Sequence, residues 1–175
     1  DVAYRRQNWV EEIAGKDLQK LGARAVILDH DGVLGANRSL LPDEAGLKLI
    51  GEMLSAFGPG KVFILSNTRA MKEGRGKAFG SSIPEVIYIR GEKKPGTGGL
   101  LMASRLSGVP AKKIVVVDDG LLTGVLMAIR GGAIPFYAKR KQLEEKLAPM
   151  IMRLTTTGAQ LAIFKFVRKI TKAFL

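Results

Sequence analysis

The stretch Ala25-Val26-Ile27-Leu28-Asp29-His30-Asp31-Gly32 decides how this chain is read. Four consecutive apolar residues followed by a turn former read as a buried strand, so two carboxylates one residue apart emerge where that strand ends. In an open α/β sheet the carboxyl ends of the strands are where ligands bind. A pair of acids there can hold a hard divalent cation and leave one oxygen free as a nucleophile. Asp and Gly are also ordinary turn formers, so the pair gains its meaning from what accompanies it along the chain.

Strand-like and helix-like segments alternate on both sides of this stretch. Upstream, an amphipathic helical stretch from Trp9 to Leu21 stops at Gly22. Downstream, Pro42 opens a helix to about Phe57, with Leu47, Leu49, Ile50, Met53 and Leu54 as its apolar side, and Gly58-Pro59-Gly60 ends it. Val62 to Leu65 is a second strand, Arg69 to Phe79 a Gly- and Lys-rich helical segment, and Val86 to Ile89 a third strand. Then come a helix from Gly99 to Leu106, a fourth strand from Ile114 to Val117, a helix from Leu121 to Ile129 and a short fifth strand from Ala133 to Tyr137. This βαβ repetition predicts an α/β fold, a Rossmann-like three-layer sandwich around a mostly parallel five-stranded sheet with right-handed crossovers. The expected organisation is one domain over residues 1–154 and a C-terminal basic amphipathic helix over 155–175.

Three further polar clusters fall at strand ends. Ser66-Asn67-Thr68 follows the second strand, Lys93-Lys94-Pro95 precedes the helix after the third, and Asp118-Asp119-Gly120 follows the fourth. Each alone reads as a solvated turn. Together they put a carboxylate nucleophile, a hydroxyl, a lysine and a second pair of carboxylates on one edge of one sheet. Those are the parts that metal-assisted phosphoryl transfer requires.

In this order and combination the clusters resemble the four motifs of the haloacid dehalogenase superfamily of phosphatases: Asp29-His30-Asp31-Gly32-Val33, then Ser66, Lys94 and Asp118-Asp119. The chain is similar in particular to the uncapped branch containing bacterial and mitochondrial phosphatidylglycerophosphate phosphatases. The lead-in Val10-Glu11-Glu12-Ile13 through Leu18 and Gly22, the Lys94-Pro95 pair and the run Asp119-Gly120-Leu121-Leu122-Thr123-Gly124-Val125-Leu126 carry that likeness. The resemblance implies a Mg2+-dependent phosphatase working through an aspartyl-phosphate. Asp29 would be the nucleophile and Asp31 the acid and base. Asp29, the backbone carbonyl of Asp31 and Asp119 or Asp118 would hold the metal. Ser66 and Lys94 would bind phosphoryl oxygens, Lys94 as a catalytic residue too; Asn67 is a further substrate-binding candidate, and with Thr68 it would shape the loop.

Three positions depart from the branch pattern. Gly32-Val33 stands where Asn-Thr is usual, Asp118 where Gly is common, and Gly124 where a second Asp is common. Two outcomes follow: the site has kept its carboxylate count by moving an acid to Asp118, or it has lost an acid it needs. Which of Asp118 and Asp119 is the inner metal ligand stays open, because the motif aligns in two frames. His30, the only histidine, is expected to pack or to bond locally, since the middle residue of an extended segment points away from its neighbours. Met127, Met150 and Met152 read as core filler.

Composition bounds the partners. The 175 residues carry a net charge of +12 with a pI near 10.1 and no cysteine, which removes disulfides, thiolate metal sites and cysteine nucleophiles. Lys139 to Leu175 holds nine basic residues against two Glu, and so +7 of the excess. In Leu161 to Leu175, Ile163, Phe166, Val167, Ile170 and Phe174 recur at helical spacing, with Lys165, Arg168, Lys169 and Lys172 opposite. Such a helix suits an anionic membrane surface, or packs its apolar side on the sheet or on another subunit. Only ~30 residues separate the first cluster from Ser66 and fewer lie between Ser66 and Lys94, too few for a lid domain. An open site suits a large substrate: a phospholipid headgroup, a nucleic-acid end or a phosphoprotein. No run reaches the ~18 apolar residues of a membrane span. The preferred expectation is a peripheral phosphatase of phosphatidylglycerophosphate, on the cytoplasmic face in a bacterium or the matrix side of the mitochondrial inner membrane. A phosphatase of nucleic-acid ends is the alternative, although aromatic residues are only 6% and offer no stacking groove. A catalytically degenerate subunit of a larger assembly is the third reading.

Overall fold

A computed structural model describes residues 8–67 and 72–141. These fall in the first of two compact units, Asp1–Lys141 and Gln142–Leu175. The boundary expected at 154, the amphipathic helix over 155–175, Met150, Met152 and Thr68 lie outside the described residues.

Six strands form one sheet: β1 (Asn8–Trp9), β2 (Ala25–Leu28), β3 (Val62–Ile64), β4 (Ile87–Tyr88), β5 (Ile114–Asp118) and β6 (Ile134–Lys139). Their order across it is β1-β6-β5-β2-β3-β4, and every neighbouring pair is parallel. The chain moves outward from β2 to β3 and β4, then crosses back to place β5 on the other side of β2. The sheet order therefore reverses between β2 and β5, with Leu28 in register with Val117. A crevice opens at such a reversal, beyond the strand ends.

Both faces of the central strands are covered, which is why they read as unbroken apolar runs. On one face Val26, Leu28, Ile64, Val115 and Val117 pack with Leu49, Ile50 and Met53 of α2 (Glu44–Phe57) and Phe79 of α3 (Lys72–Ser82). On the other, Ala25, Ile27, Phe63 and Val116 pack with Leu100 and Ala103 of α4 (Gly98–Ser107) and with Met127 and Ala128 of α5 (Leu126–Gly131). Helix α1 (Gly15–Lys20) adds Leu18 to the first layer. This is the three-layer α/β sandwich expected from the sequence.

Two expectations need correction. The sheet has six strands rather than five, and the helix expected from Trp9 to Leu21 is three pieces: β1, a 3-10 turn over Val10–Glu12, and α1. Strand β1 is two residues long and exists because β6 offers it an edge, with Asn8 Nδ2 donating to Tyr137 O at 3.1 Å. So short a segment carries no periodicity to detect. The helix expected from Leu121 begins instead with a wide π-type turn, Leu121–Val125, before α5. In α2, Leu47 sits just off the apolar stripe and is exposed, while Leu54 packs against the core.

Helix α2 is started by Asp43, whose carboxylate accepts the Gly46 N–H at 3.1 Å and also takes the Arg140 guanidinium. It is stopped by Gly58 at φ +79°. Gly46 faces the loop after β2, and a Cβ there would lie 1.9 Å from Leu34 O, whereas Gly51 in the same helix has nothing within 4 Å. The same substitution should therefore act in opposite directions. Gly51→Ala is expected to stabilise the fold by ~0.5–1 kcal/mol through helix propensity. Gly46→Ala is expected to destabilise it by ~1–3 kcal/mol by forcing α2 off the loop. Urea unfolding of the two variants checks both signs.

Candidate active site

Asp29 is the first residue beyond β2. Its backbone N–H donates to Val117 O at 2.9 Å, extending the β2–β5 ladder by one step and setting its side chain beside the end of β5. Lys94 arrives from the connection between β4 and α4. Asn67, just past β3, clamps it: the Lys94 N–H donates to Asn67 Oδ1 and Asn67 Nδ2 donates to the Lys94 carbonyl, both at 2.8 Å. The Lys94 ammonium then lies 2.7 Å from Asp29 Oδ1 and 2.5 Å from Asp118 Oδ2. All three side chains are buried. Burial works against the lysine charge, but Asp118 and Asp29 outweigh it and hold Lys94 above its ordinary value.

The neighbouring acids Asp118 and Asp119 face different ways. Asp118 is fully buried, with Oδ2 on Lys94 and Oδ1 accepting from the Gly120 N–H at 2.7 Å and from Thr123 Oγ1 at 3.0 Å. Asp119 is half-buried and lines a cleft of about 240 Å3 together with Asp29, Asp31, Asn37, Asn67, Lys94 and Thr123. Of the two frames left open by the sequence, this geometry favours Asp119 as the acid offered to a cation. Beside it, Gly32 has φ +86°, and a Cβ there would fall 1.9 Å from Asp119 Oδ2. Glycine takes this turn without strain, and a side chain there would displace the Asp119 carboxylate.

Carboxylate oxygens of Asp29, Asp118 and Asp119 lie within 4.8 Å of one another. Three acids facing one ammonium leave an excess of negative charge on hard oxygen donors, and such a set fits Mg2+. Without a cation the protons stay on. Burial pushes Asp29 up to about 8, Lys94 opposing this and Asp118 adding to it, and burial with Asp118 pushes Asp119 up to about 7.

Asp31 lies on the same cleft but is held by a different partner. Arg75 of α3 reaches it with a fork, Nη1 to Oδ2 at 2.8 Å and Nη2 to Oδ1 at 2.7 Å. The same guanidinium donates to Ser66 Oγ at 2.9 Å and, through Nε, to Ser39 O at 2.7 Å. Ser66 in turn donates to Asp31 Oδ2 at 2.9 Å, and the Arg38 N–H to Oδ1 at 2.8 Å. The Ser66 hydroxyl, expected at the phosphoryl group, is buried and braces Asp31. Arg75 was not foreseen. Along α3 it looks like its neighbours Lys72 and Lys77, and only packing shows that it is fully buried. His30 is also fully buried, edge-on to Phe79 at 5.8 Å, and neither ring nitrogen has a hydrogen-bond partner among the described residues. Burial lowers it to about 4, so it packs as a neutral ring.

A parallel sheet that brings its acids, lysine and clamped loop to the reversal of strand order has the arrangement that the haloacid dehalogenase resemblance implies. Residues 8–141 match the family described as mitochondrial PGP phosphatase, and the chain belongs to that family. It is accordingly a phosphoric monoester hydrolase. Among solved structures the fold resembles an uncharacterized protein from Corynebacterium glutamicum, with a TM-score of 0.50 and 23% identity, over 73% of this chain and 94% of that one. A comparison with curated proteins gives no match.

Two predictions follow from the charges. The metal-free folded protein keeps protons on Asp29 and Asp119 that the unfolded chain releases near the ordinary carboxylate value of 3.8. Its stability therefore falls as pH rises from about 4 to about 8. In EDTA, the melting temperature at pH 8.5 should be below that at pH 6, and Mg2+ should raise it more at pH 8.5. A melting temperature that climbs over this interval contradicts the assignment. Arg75→Lys keeps the charge but loses the fork, and should lower kcat roughly tenfold or more with a melting temperature only a few degrees lower. Steady-state kinetics alongside thermal melting reads both.

Proposed function

We propose that this phosphatase removes the terminal phosphate of phosphatidylglycerophosphate through an aspartyl-phosphate on Asp29, with Mg2+ as its cofactor. The observation that carries the reading is the placement of Asp29: a carboxylate at the mouth of the β2–β5 crevice, with Lys94 at 2.7 Å and Asp119 on the same cleft. The family to which the chain belongs supports the lipid substrate.

An Asp29 oxygen attacks phosphorus, and the bond from phosphorus to the glycerol oxygen breaks. The departing alkoxide takes a proton from Asp31, which for this step is protonated on an oxygen released from its Arg75, Ser66 or Arg38 N–H donor. Asp31 then draws a proton from water, whose oxygen attacks the aspartyl-phosphate, releasing inorganic phosphate and restoring Asp29. Lys94 stays charged throughout, set by Asn67 at its backbone and by Asp118 at its side chain, and stabilises negative charge on the phosphoryl oxygens. Asp29 and Asp119, with the Asp31 carbonyl, would hold Mg2+, and the chemistry it supplies is positive charge that favours ionised Asp29 and the transferring phosphoryl group. Arg75 and Ser66 fix Asp31 at the cleft wall and hold it ionised, the state that accepts the proton of water.

A cleft of about 240 Å3 suits a phosphoryl headgroup held with its acyl chains outside. Small-molecule pockets that enclose their ligand run to roughly 300–1,000 Å3. No helix among the described residues is long and apolar enough to cross a membrane. The basic residues Lys165, Arg168, Lys169 and Lys172 supply charge for a peripheral hold on an anionic bilayer, on the mitochondrial matrix side or its bacterial equivalent.

Phosphate release from phosphatidylglycerophosphate in mixed micelles with Mg2+ tests the reading. Turnover should fall by ~10^3-fold or more in Asp29→Asn, since the nucleophile is gone. Hydrolysis of an aryl phosphate without hydrolysis of the lipid would overturn the substrate. Unchanged turnover in the variant would overturn the mechanism.

A further inference from the structure

Two of the departures from the branch pattern lie against each other in space. Gly124 sits in the π-type turn after β5, and a Cβ built on it would fall 2.1 Å from Asp118 Oδ2, 2.3 Å from its Cγ and 2.5 Å from its Cβ. Carbon atoms in contact sit at about 3.5–4.0 Å, so the space in which a side chain at 124 would begin is already filled by the Asp118 carboxyl group. That carboxyl group cannot swing aside: it is fully buried, with Lys94 Nζ on one oxygen and the Gly120 N–H and Thr123 hydroxyl on the other. On this backbone, aspartate at 118 excludes any residue but glycine at 124.

In the branch that the chain resembles, glycine is common at the first position and aspartate at the second. We propose that the two departures are one exchange: the carboxylate that aims the Lys94 ammonium at Asp29 is delivered here from position 118 instead of 124, and Gly124 is the space that admits it. Asp118 is then a positioning residue acting through Lys94. Either backbone position reaches the same buried spot, because the turn folds 124 back over the end of β5. The inference rests on the reading of Lys94 in the preceding subsection, but its central claim concerns packing and charge that exist without substrate.

Four proteins test it: the natural chain, Asp118→Gly, Gly124→Asp, and the double exchange. Melting temperature in EDTA and Mg2+ binding by calorimetry are read first, then aryl phosphate hydrolysis. Gly124→Asp forces two carboxylates into one volume and should lower the melting temperature by ~10 °C or more. Asp118→Gly leaves Lys94 with one buried carboxylate and should cost several degrees and ~100-fold in kcat. The double exchange should return to within ~3 °C of the natural chain, with Mg2+ affinity within ~3-fold and kcat within ~10-fold, a rescue that independent sites would not give. Losses in the double variant equal to the sum of the two singles overturn the proposal. Should Gly124→Asp fail to fold, Gly124→Ala repeats the test with one methyl: it should be harmful beside Asp118 and harmless beside Gly at 118, and equal tolerance in both backgrounds overturns the exchange. A chain that hydrolyses nothing yet shows the rescue in melting and Mg2+ binding refutes the phosphatase mechanism and leaves the exchange standing.

Discussion

The buried ammonium of Lys94, held between Asp29 and Asp118, is the contact on which the arrangement depends. A charge out of reach of water must be paired, and its partners here come from the ends of two different strands. Those strands are neighbours only because the chain crosses back between β4 and β5. The same contact ties the fold to the site. Withdrawing either acid leaves an uncompensated cation, and withdrawing the lysine leaves three acids within 4.8 Å of one another. Burial, with Asp118 adding to it, already pushes Asp29 and Asp119 above the ordinary carboxylate range.

A second buried cation divides the labour. Arg75 governs Asp31 much as Lys94 governs Asp29, and the two carboxylates, one residue apart, are drawn to opposite partners. On the proposed mechanism the separation is useful: Asp29 as nucleophile needs one fixed oxygen and a nearby positive charge, whereas Asp31 as acid and base needs a fixed direction. The planar fork of arginine fixes direction better than the point charge of lysine. His30 stands between the two acids in sequence, yet its ring is fully buried, edge-on to Phe79.

Much of this could be read from the chain, and the reasons are local. Ala25 to Leu28, Val62 to Leu65 and Ile114 to Val117 are unbroken apolar runs because both faces of each strand are covered, and the helices between them follow from spacing and from stops such as Gly58. Asp29, Asp31, Lys94, Asp118 and Asp119 stood out because each follows or precedes such a run. Other features left no local trace. Asn8–Trp9 is a strand only beside β6, and the π-type turn over Leu121–Val125 interrupts a pattern that reads as continuous helix. Ser66 was legible as a hydroxyl at a strand end but not as the brace of Asp31.

The sequence by itself determined the α/β class, the order of the five expected strands and the helices between them, and which polar residues share one edge of the sheet. Periodicity and chain order are properties of neighbouring residues, so they survive without knowledge of the fold. Only the tertiary structure decided that Asp118 turns inward to Lys94 while Asp119 faces the cleft, that Arg75 is the buried partner of Asp31, and that Gly124 makes room for a carboxylate six residues before it. Each of these turns on which side chain occupies a particular buried volume and which charge neutralises it. Those questions are settled between residues far apart in the chain, by packing and by the need to pair every buried charge.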